Sequence, residues 1–293
     1  MMKKITACML AALWLLAVLA SASAEVFVNV QPPDDWYERD LFRLIAVDVN
    51  RSDAMILICG GEAMMVDGGS GGFQDRFDAV AETYGITAFK YLFNTHSDND
   101  HIVGLTELMQ SGKYEVGMFT SPNKESYTST RFHQPAVRAA NRQGIEYHVV
   151  EDGEVLTLGG ASMTVMRCME SWGANARSAT LMITFGESRI FLTGDLDNRT
   201  MTHYLKKYGA EALDADIMKA PHHGISTIPV NFLEAVSPDV FFVPSTSKRA
   251  ANITSMKNFR RNAPDTVVLY SGDGNILMET DGVDWFIWQD LGN

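Results

Sequence analysis

The stretch Asn94-Thr95-His96-Ser97-Asp98-Asn99-Asp100-His101-Ile102-Val103-Gly104 places four potential metal ligands within six residues. It follows the apolar run 89–93, which reads as a strand, and leads into a helical pattern over 102–109. In an extended stretch alternate side chains share a face, so His96, Asp98 and Asp100 can converge, and the turn into the helix brings His101 beside them. A plainer reading makes Asp98, Asn99 and Asp100 the polar start of a helix, since such residues cap helix N-termini. The rest of the chain has to choose between the two.

On the N-terminal side, apolar runs at 41–49, 54–59 and 63–67 are broken by polar residues or glycine, the pattern of a strand meander. Phe73, Phe77, Val80 and Ala81 recur at helical spacing, and a strand is expected at 116–119. After a helical stretch at 134–143 come short β-type runs at 147–150, 154–158, 162–166, 179–185 and 189–192, with Gly159-Gly160 and Gly186-Glu187 at turn positions. Helices at 199–208 and 230–235 then alternate with strands at 215–218 and 240–243, and 266–270 with 275–278 forms a closing pair. Strands gathered into meanders with helices between them imply an α/β protein, an αββα sandwich of two mixed β-sheets flanked by helices. A doubly wound parallel sheet would require regular strand–helix alternation and a glycine-rich phosphate loop. Gly68-Gly69-Ser70-Gly71-Gly72 lacks the lysine and hydroxyl residue of a nucleotide loop and reads as a turn.

Two later segments are of the same kind as the first. Asp195 follows the strand 189–192 and Thr193-Gly194, where a carboxylate projects from a sheet edge, and Pro221-His222-His223-Gly224 follows the next strand. Alone, each reads as a turn aspartate or as surface-loop histidines. Three strand-terminal sites in series, all rich in His and Asp, point instead to one metal centre. The order HxDxDH, TGD, PHHG resembles the metallo-β-lactamase superfamily, whose usual first motif is HxHxDH. Within it the chain looks like the ComEC-like extracellular hydrolase domain and its free-standing secreted relatives. Asp48-Val49-Asn50-Arg51-Ser52-Asp53-Ala54 resembles their DVGQGDA opening, and Asp67-Gly68-Gly69 their aspartate-glycine pair. Asn175-Ala176-Arg177-Ser178 is similar to the asparagine-serine stretch before the TGD hairpin, and Phe232-Leu233-Glu234-Ala235-Val236-Ser237-Pro238 to the segment after HHG. The resemblance spans roughly residues 41–280.

It implies a metallo-β-lactamase fold holding two divalent metal ions, zinc first, with manganese or iron suited to a carboxylate-rich site. Carried over by position, His96 and Asp98 hold one ion, Asp100 and His101 the other, and Asp195 bridges them. His222 or His223 completes the second site, leaving its neighbour for substrate. Asp100, as ligand and proton acceptor, and Asp195 form the implied catalytic core. The implied reaction is hydrolysis of a phosphodiester or related ester through a metal-bound hydroxide. The alternatives are a lactone or β-lactam hydrolase, or a metal-poor binding module that kept the fold. Two departures stand out. Asp98 occupies a position that is histidine in most of the superfamily, and no histidine lies between His148 and His203, so the separate third-motif histidine is missing. Asn175 or Ser178 offers only an oxygen there, and the first ion is expected to bind loosely. His133, His148 and His203 lie outside the motifs and read as structural or exposed.

Met1-Met2-Lys3-Lys4, the apolar stretch 8–20 and Ala22-Ser23-Ala24 have the pattern of a secretory signal peptide. The apolar stretch is shorter than the roughly 20 residues of a bilayer-spanning helix. The expected layout is a leader at 1–24, an N-terminal extension at 25–40 and one hydrolase domain at 41–293, exported, with no retained membrane segment. Loss of Lys3 and Lys4 with the leader takes the formal charge from −12 to −14. That balance disfavours stable non-specific nucleic-acid binding and leaves a small-molecule or phosphodiester substrate as the expected partner. The one basic island, Lys248, Arg249, Lys257, Arg260 and Arg261, lies between Asp239 and Asp265 with no acid inside it. Because it follows the strand 240–243, Lys248 and Arg249 are the expected substrate contacts. Cys59 and Cys168, both in apolar strand-like surroundings, read as buried free thiols.

Overall fold

A computed structural model describes residues 25–170 and 172–290; the leader reading at 1–24 lies outside them. Seven strands open the chain: β1 (Val26–Val28), β2 (Phe42–Ala46), β3 (Ala54–Cys59), β4 (Glu62–Gly68), β5 (Ala88–Phe93), β6 (Glu115–Ser121) and β7 (Glu146–Val149). Seven more follow: β8 (Val155–Leu158), β9 (Ala161–Met166), β10 (Thr180–Phe185), β11 (Ser188–Leu192), β12 (Ile217–Lys219), β13 (Val240–Val243) and β14 (Val267–Tyr270). The final hairpin, β15 (Ile276–Thr280) and β16 (Trp285–Gln289), returns to the first group. The first sheet has the order β1-β16-β15-β2-β3-β4-β5-β6-β7 and the second β14-β13-β12-β11-β10-β9-β8. Both are mixed: β4 to β7 and β11 to β14 run parallel, while β2 to β4 and β8 to β11 are antiparallel.

The continuous apolar runs follow from burial on both faces of each sheet. In β4, Met64 and Val66 pack between the sheets, while Met65 points into the layer beneath the first helices. In β13, Val240 and Phe242 face the inter-sheet core and Phe241 and Val243 face outward. Helices α1 (Gln74–Tyr84), α2 (Asn99–Ser111) and α3 (His133–Gln143) cover the first sheet with Phe77, Ile102, Leu105 and Ala136. Over the second lie α4 (Asn198–Tyr208), α5 (Ala210–Leu213), α6 (Val230–Val236), α7 (Ser247–Ala250) and α8 (Thr254–Asn262), which contribute Met201, Tyr204, Leu213, Phe232, Ala250 and Phe259. Each of the large aliphatic and phenylalanine side chains among these, fully buried, stabilises the fold by roughly 1.5–3 kcal/mol. The result is the αββα sandwich expected from the strand pattern.

One expected pairing fails. The runs around 266–270 and 275–278 are both strands, but not partners: β14 pairs with β13 in the second sheet, and β15 sits between β2 and β16 in the first. The short turn Ser271–Asp273 carries the chain from one sheet to the other. Residues 25–40 are tied to the domain, since β1 pairs with β16 and Trp36 packs on Phe286 in a small satellite cluster. Cys59 and Cys168 are free buried thiols in different core layers. Among the described residues no helix is long and apolar enough to cross a membrane.

Candidate metal centre

Parallel strands of both sheets end at one place, and the carboxyl ends of such strands are where open α/β sheets bind ligands. His96 follows β5, Asp98, Asp100 and His101 begin α2, Asp195 follows β11, and His222 and His223 follow β12. Asp98 occupies the N-cap position of α2 with an extended backbone, yet its side chain makes no capping bond. Instead its Oδ2 lies 3.6 Å from His96 Nε2. The helix-cap reading therefore fails for this side chain, while its backbone still starts the helix.

Asp195 is the hub. Its carboxylate lies 3.3 Å from His101 Nε2, 3.7 Å from His96 Nε2 and from His223 Nε2, and 3.6 Å from His222 Nε2. His223 Nε2 is also 3.2 Å from Asp100 Oδ2. His96, His101, His223 and Asp195 are buried. The Nε2 atoms of those three histidines and Asp195 Oδ1 have no hydrogen bond of ordinary geometry. An unpaired buried polar group costs roughly 1–3 kcal/mol. Four of them converging on one spot form a donor set that fits a cation, and nitrogen with carboxylate oxygen suits zinc or iron. Ligand atoms of His96, His101 and Asp195 lie within 4.8 Å of one another, as do those of Asp53, His101 and His223.

The second of these groups is better read from its orientation. Asp53 and Asp67 sit on the far side of the imidazoles from Asp195. Asp67 Oδ2 is 2.7 Å from His101 Nδ1 and Asp53 Oδ1 is 3.1 Å from His223 Nδ1. The first contact is a hydrogen bond: a carboxylate that takes an imidazole N–H leaves the other nitrogen's lone pair facing forward, the usual support for a ligating histidine, whereas Asp53 and His223 are in charge contact only. Asp67 is fixed in turn, accepting from the Thr95 amide (2.8 Å), Thr95 Oγ1 (2.6 Å) and Asn94 Nδ2 (3.2 Å). Asp53 already has a cation: the buried Lys219 Nζ is 2.6 Å from its Oδ2. The same ammonium donates to the carbonyls of Gly194 (2.8 Å) and Ala220 (3.1 Å), joining the Asp195 loop to the histidine turn. None of Asp53, Asp67 and Lys219 was expected as a site residue. The two aspartates stood in segments singled out by resemblance, and Lys219 is a lone cation at the end of an apolar strand, the available signal in each case.

The histidine turn is backbone-strained. His222 (φ 51, ψ 51) and His223 (φ 52, ψ 30) are both left-handed, which costs a residue with a Cβ of order 1–3 kcal/mol. The turn makes the two adjacent histidines diverge: His223 is fully buried against Asp53 and Asp100, and the part-exposed His222 receives Asn175, whose Nδ2 is 3.3 Å from its Nδ1. Ser178 Oγ accepts from the Asp195 amide at 3.3 Å.

The buried imidazoles and carboxylates of the centre shift one another's pKa values. Burial works against ionisation of Asp195, yet the imidazoles of His101 and His223 hold its carboxyl well below the usual range. Burial likewise opposes charge on His223, but Asp195 and Asp53 push it up to about 9. His101 is raised well above its ordinary value, the carboxylates of Asp195, Asp67 and Asp53 outweighing burial. Asp100 is lowered by His223 and His101 despite its burial, and Asp98 by His96 beside it. His222 is shifted down, chiefly by burial.

All seven histidines and aspartates expected as ligands are thus brought together. Lys248 and Arg249 lie exposed on α7, and neither side chain hydrogen-bonds to a residue of the centre. His133 is buried between Ser97 Oγ and the Lys124 carbonyl, His148 pairs with Glu154 at 2.7 Å, and His203 packs edge-on against Trp172.

Fold and strand-end centre agree with the match of residues 47–270 to the family model of the metallo-beta-lactamase superfamily, and the chain belongs to that superfamily. No curated protein matches it. Among solved structures it is similar to CmlA, a diiron beta-hydroxylase from Streptomyces venezuelae, at 17% identity and TM-score 0.53, over 79% of this chain and 52% of that one. It is also similar to the metallo-beta-lactamase fold protein YhfI from Bacillus subtilis, at 12% identity and TM-score 0.52, over 83% of this chain and 100% of that one. A third is Igni18, a metallo hydrolase from the hyperthermophilic archaeon Ignicoccus hospitalis, at 13% identity and TM-score 0.51, over 81% of this chain and 98% of that one. The chain spans about half the length of the hydroxylase. At these identities the likeness is one of fold.

Proposed function

We propose that the protein is an exported, ComEC-like, metal-dependent hydrolase that cleaves a phosphodiester or related ester. The observation that carries the hydrolase reading is the convergence of three buried, unpartnered imidazole nitrogens on Asp195, flanked by Asp98 and Asp100. Asp100, His101 and His223 would hold one divalent ion, His96 and Asp98 the other, and Asp195 would reach both. His222, 3.6 Å from Asp195, is the imidazole available to the first position in place of the separate third-motif histidine that the chain lacks. Such ions supply, when bound, Lewis acidity and an acidified water. Asp67 holds His101 in one tautomer through Nδ1, Asp53 stands behind His223 at 3.1 Å as a charge partner, and Lys219 keeps the Asp195 loop and the histidine turn in register. Asp100, part-exposed at the mouth of the centre, is the carboxylate placed to accept a proton from the reacting water. The phosphodiester preference and export rest on the segments that resemble the ComEC-like group and on the leader pattern of residues 1–24.

The test uses protein recovered from its exported form. Asp100→Ala and His101→Ala should each lower bound metal, measured by elemental analysis, and abolish turnover of a chromogenic phosphodiester. Full metal occupancy with unchanged turnover in both variants would refute the assignment. Turnover of lactones or β-lactams alone would refute the substrate class.

A further inference from the structure

Near His96, residues of the segment 122–127 together with 167–169 and Arg177 line an open cleft of about 370 Å³ whose charged lining is wholly basic: Lys124, Arg167 and Arg177. Asn123, Tyr127 and Arg177 also line the small cavity that touches His96, so Arg177 stands between the cleft and the metal centre. Arg167 is the informative member. It is 7% exposed, and its guanidinium donates only to the carbonyls of Val150 and Pro122, leaving Nε without a partner. The neighbouring acid, Asp152, is engaged by Lys207 Nζ and the Tyr208 hydroxyl and takes only the Arg167 backbone amide. Among the described residues, none of Lys124, Arg167 and Arg177 forms an ion pair; for the exposed Lys124 and Arg177 solvent accounts for that, but the part-buried Arg39, Arg43, Lys90 and Arg189 and the buried Lys219 are all paired, which sets the buried Arg167 apart from them. Arginine keeps its charge when buried, so an unpaired guanidinium at a cleft wall is costly unless an anion arrives to meet it.

The rim is held in advance. His133 Nε2 lies 3.0 Å from the Lys124 carbonyl, Tyr147 Oη donates to the Asn123 carbonyl at 2.6 Å, and Gln134 Nε2 to the Tyr127 carbonyl at 2.9 Å. Arg177 Nε is 3.3 Å from the Glu170 carbonyl, which steadies the opposite wall. A preorganised rim spends little on ordering when a ligand binds.

We infer that this cleft is an oxyanion subsite that holds a second anionic group of the substrate next to the bond cleaved at the metal centre. The inference rests on the hydrolase reading for its position along the substrate, though not for the binding itself. In a phosphodiester substrate the group is the neighbouring phosphate; in a lactone or β-lactam it is a carboxylate. Arg177 is the specificity-determining contact, Lys124 adds charge at the rim, and Arg167 supplies field from the floor.

The probe is thymidine 3′,5′-bisphosphate, titrated calorimetrically into the full-length metal-loaded protein and into Arg177→Gln and Lys124→Gln, both exposed positions whose replacement spares the core. Arg177→Gln should weaken binding about tenfold or more with metal content intact, and Lys124→Gln by a smaller factor. In turnover, the wild type should prefer a nitrophenyl phosphodiester that carries a second phosphate over bis(p-nitrophenyl) phosphate, and Arg177→Gln should lose that preference through KM. Unchanged affinity and unchanged preference would overturn the subsite. A protein that turns over neither ester, yet binds the bisphosphate in an Arg177-dependent way, would sink the phosphodiesterase reading and keep the subsite. Arg177-dependent preference for a carboxylate-bearing lactone would identify the carboxylate as the anion.

Discussion

Gly104 is the point at which the fold and the centre are mechanically coupled, and Gly104→Ala tests that coupling. A Cβ built there would lie 1.7 Å from the Gly68 carbonyl oxygen, whereas real Cβ contacts are essentially never closer than 3.0 Å. The helix α2 and the strand β4 would have to part by about 1.3 Å, the difference between those two distances, with no flexible side chain to yield: Gly68 presents the same contact from its own side, its Cβ position lying 2.3 Å from the Leu105 amide. Overpacking of this kind costs roughly 1–3 kcal/mol. On an unconstrained helix the same substitution would stabilise by about 0.8–1 kcal/mol, so the two readings differ in sign. The displaced segment carries Asp100 and His101, one turn earlier on α2, and the Asp100 carbonyl receives the Asp53 amide at 3.2 Å. A shift of about 1 Å in positioned groups can lower catalysis on the order of 100-fold. Thermal unfolding and elemental analysis of the same preparation decide the matter. The variant should melt lower and bind less metal. A higher melting temperature with full metal content would show that α2 adjusts freely and that the close Gly68–Gly104 approach does not position the ligands.

Lys219→Met should destabilise the protein by about 3–5 kcal/mol, because it leaves the buried Asp53 carboxylate without its cation. Adding Asp53→Asn should recover part of that loss in denaturant titration; a single-variant loss under about 1 kcal/mol would show the pair to be dispensable, against the usual cost of breaking a buried pair. The pH dependence of metal uptake follows from His223 and its neighbours. A raised histidine stabilises the metal-free fold fully below its unfolded pKa of about 6.5, and that contribution fades as pH rises through about 9. The lowered Asp100 acts oppositely, stabilising above the ordinary carboxylate range and losing its contribution as pH falls through its depressed pKa. Since a ligating histidine must be neutral, metal binding at pH 7.5 should release at least one proton per protein, and apparent affinity should rise with pH toward 9. Calorimetry in buffers of different ionisation enthalpy measures this directly, and uptake with no proton release would remove His223 from the ligand set.

What could be read from the sequence was local, and what could not was assembled across long separations. The ligand clusters are legible because each lies within a few residues at a strand end, so spacing alone implies convergence of side chains. Strand runs such as 240–243 are legible because burial on both sheet faces enforces unbroken hydrophobicity. The β14–β15 pairing was misread since two β-type runs joined by a short turn ordinarily form a hairpin, and nothing within 266–280 states that β2, more than two hundred residues earlier, is the stronger partner for β15. The strand Trp285–Gln289 was not read from the sequence at all, and nothing near it indicates that the distant Val26–Val28 joins it. Adjacent His222 and His223 are equivalent on paper, and only the two left-handed residues of their turn send one inward to Asp53 and the other toward Asn175. Basic residues show the same division most sharply. Lys248 and Arg249 draw attention because they cluster in sequence, yet they stand exposed on α7 without a hydrogen bond to the centre, whereas the buried Arg167 shares one cleft wall with the exposed Arg177, ten residues on, and with the exposed Lys124 from a different segment. A charge run reports what solvent tolerates, while a charge that the fold buries without a partner reports what a ligand must bring; the second kind becomes visible only when Pro122, Val150 and Arg167 have been brought together by the sheets.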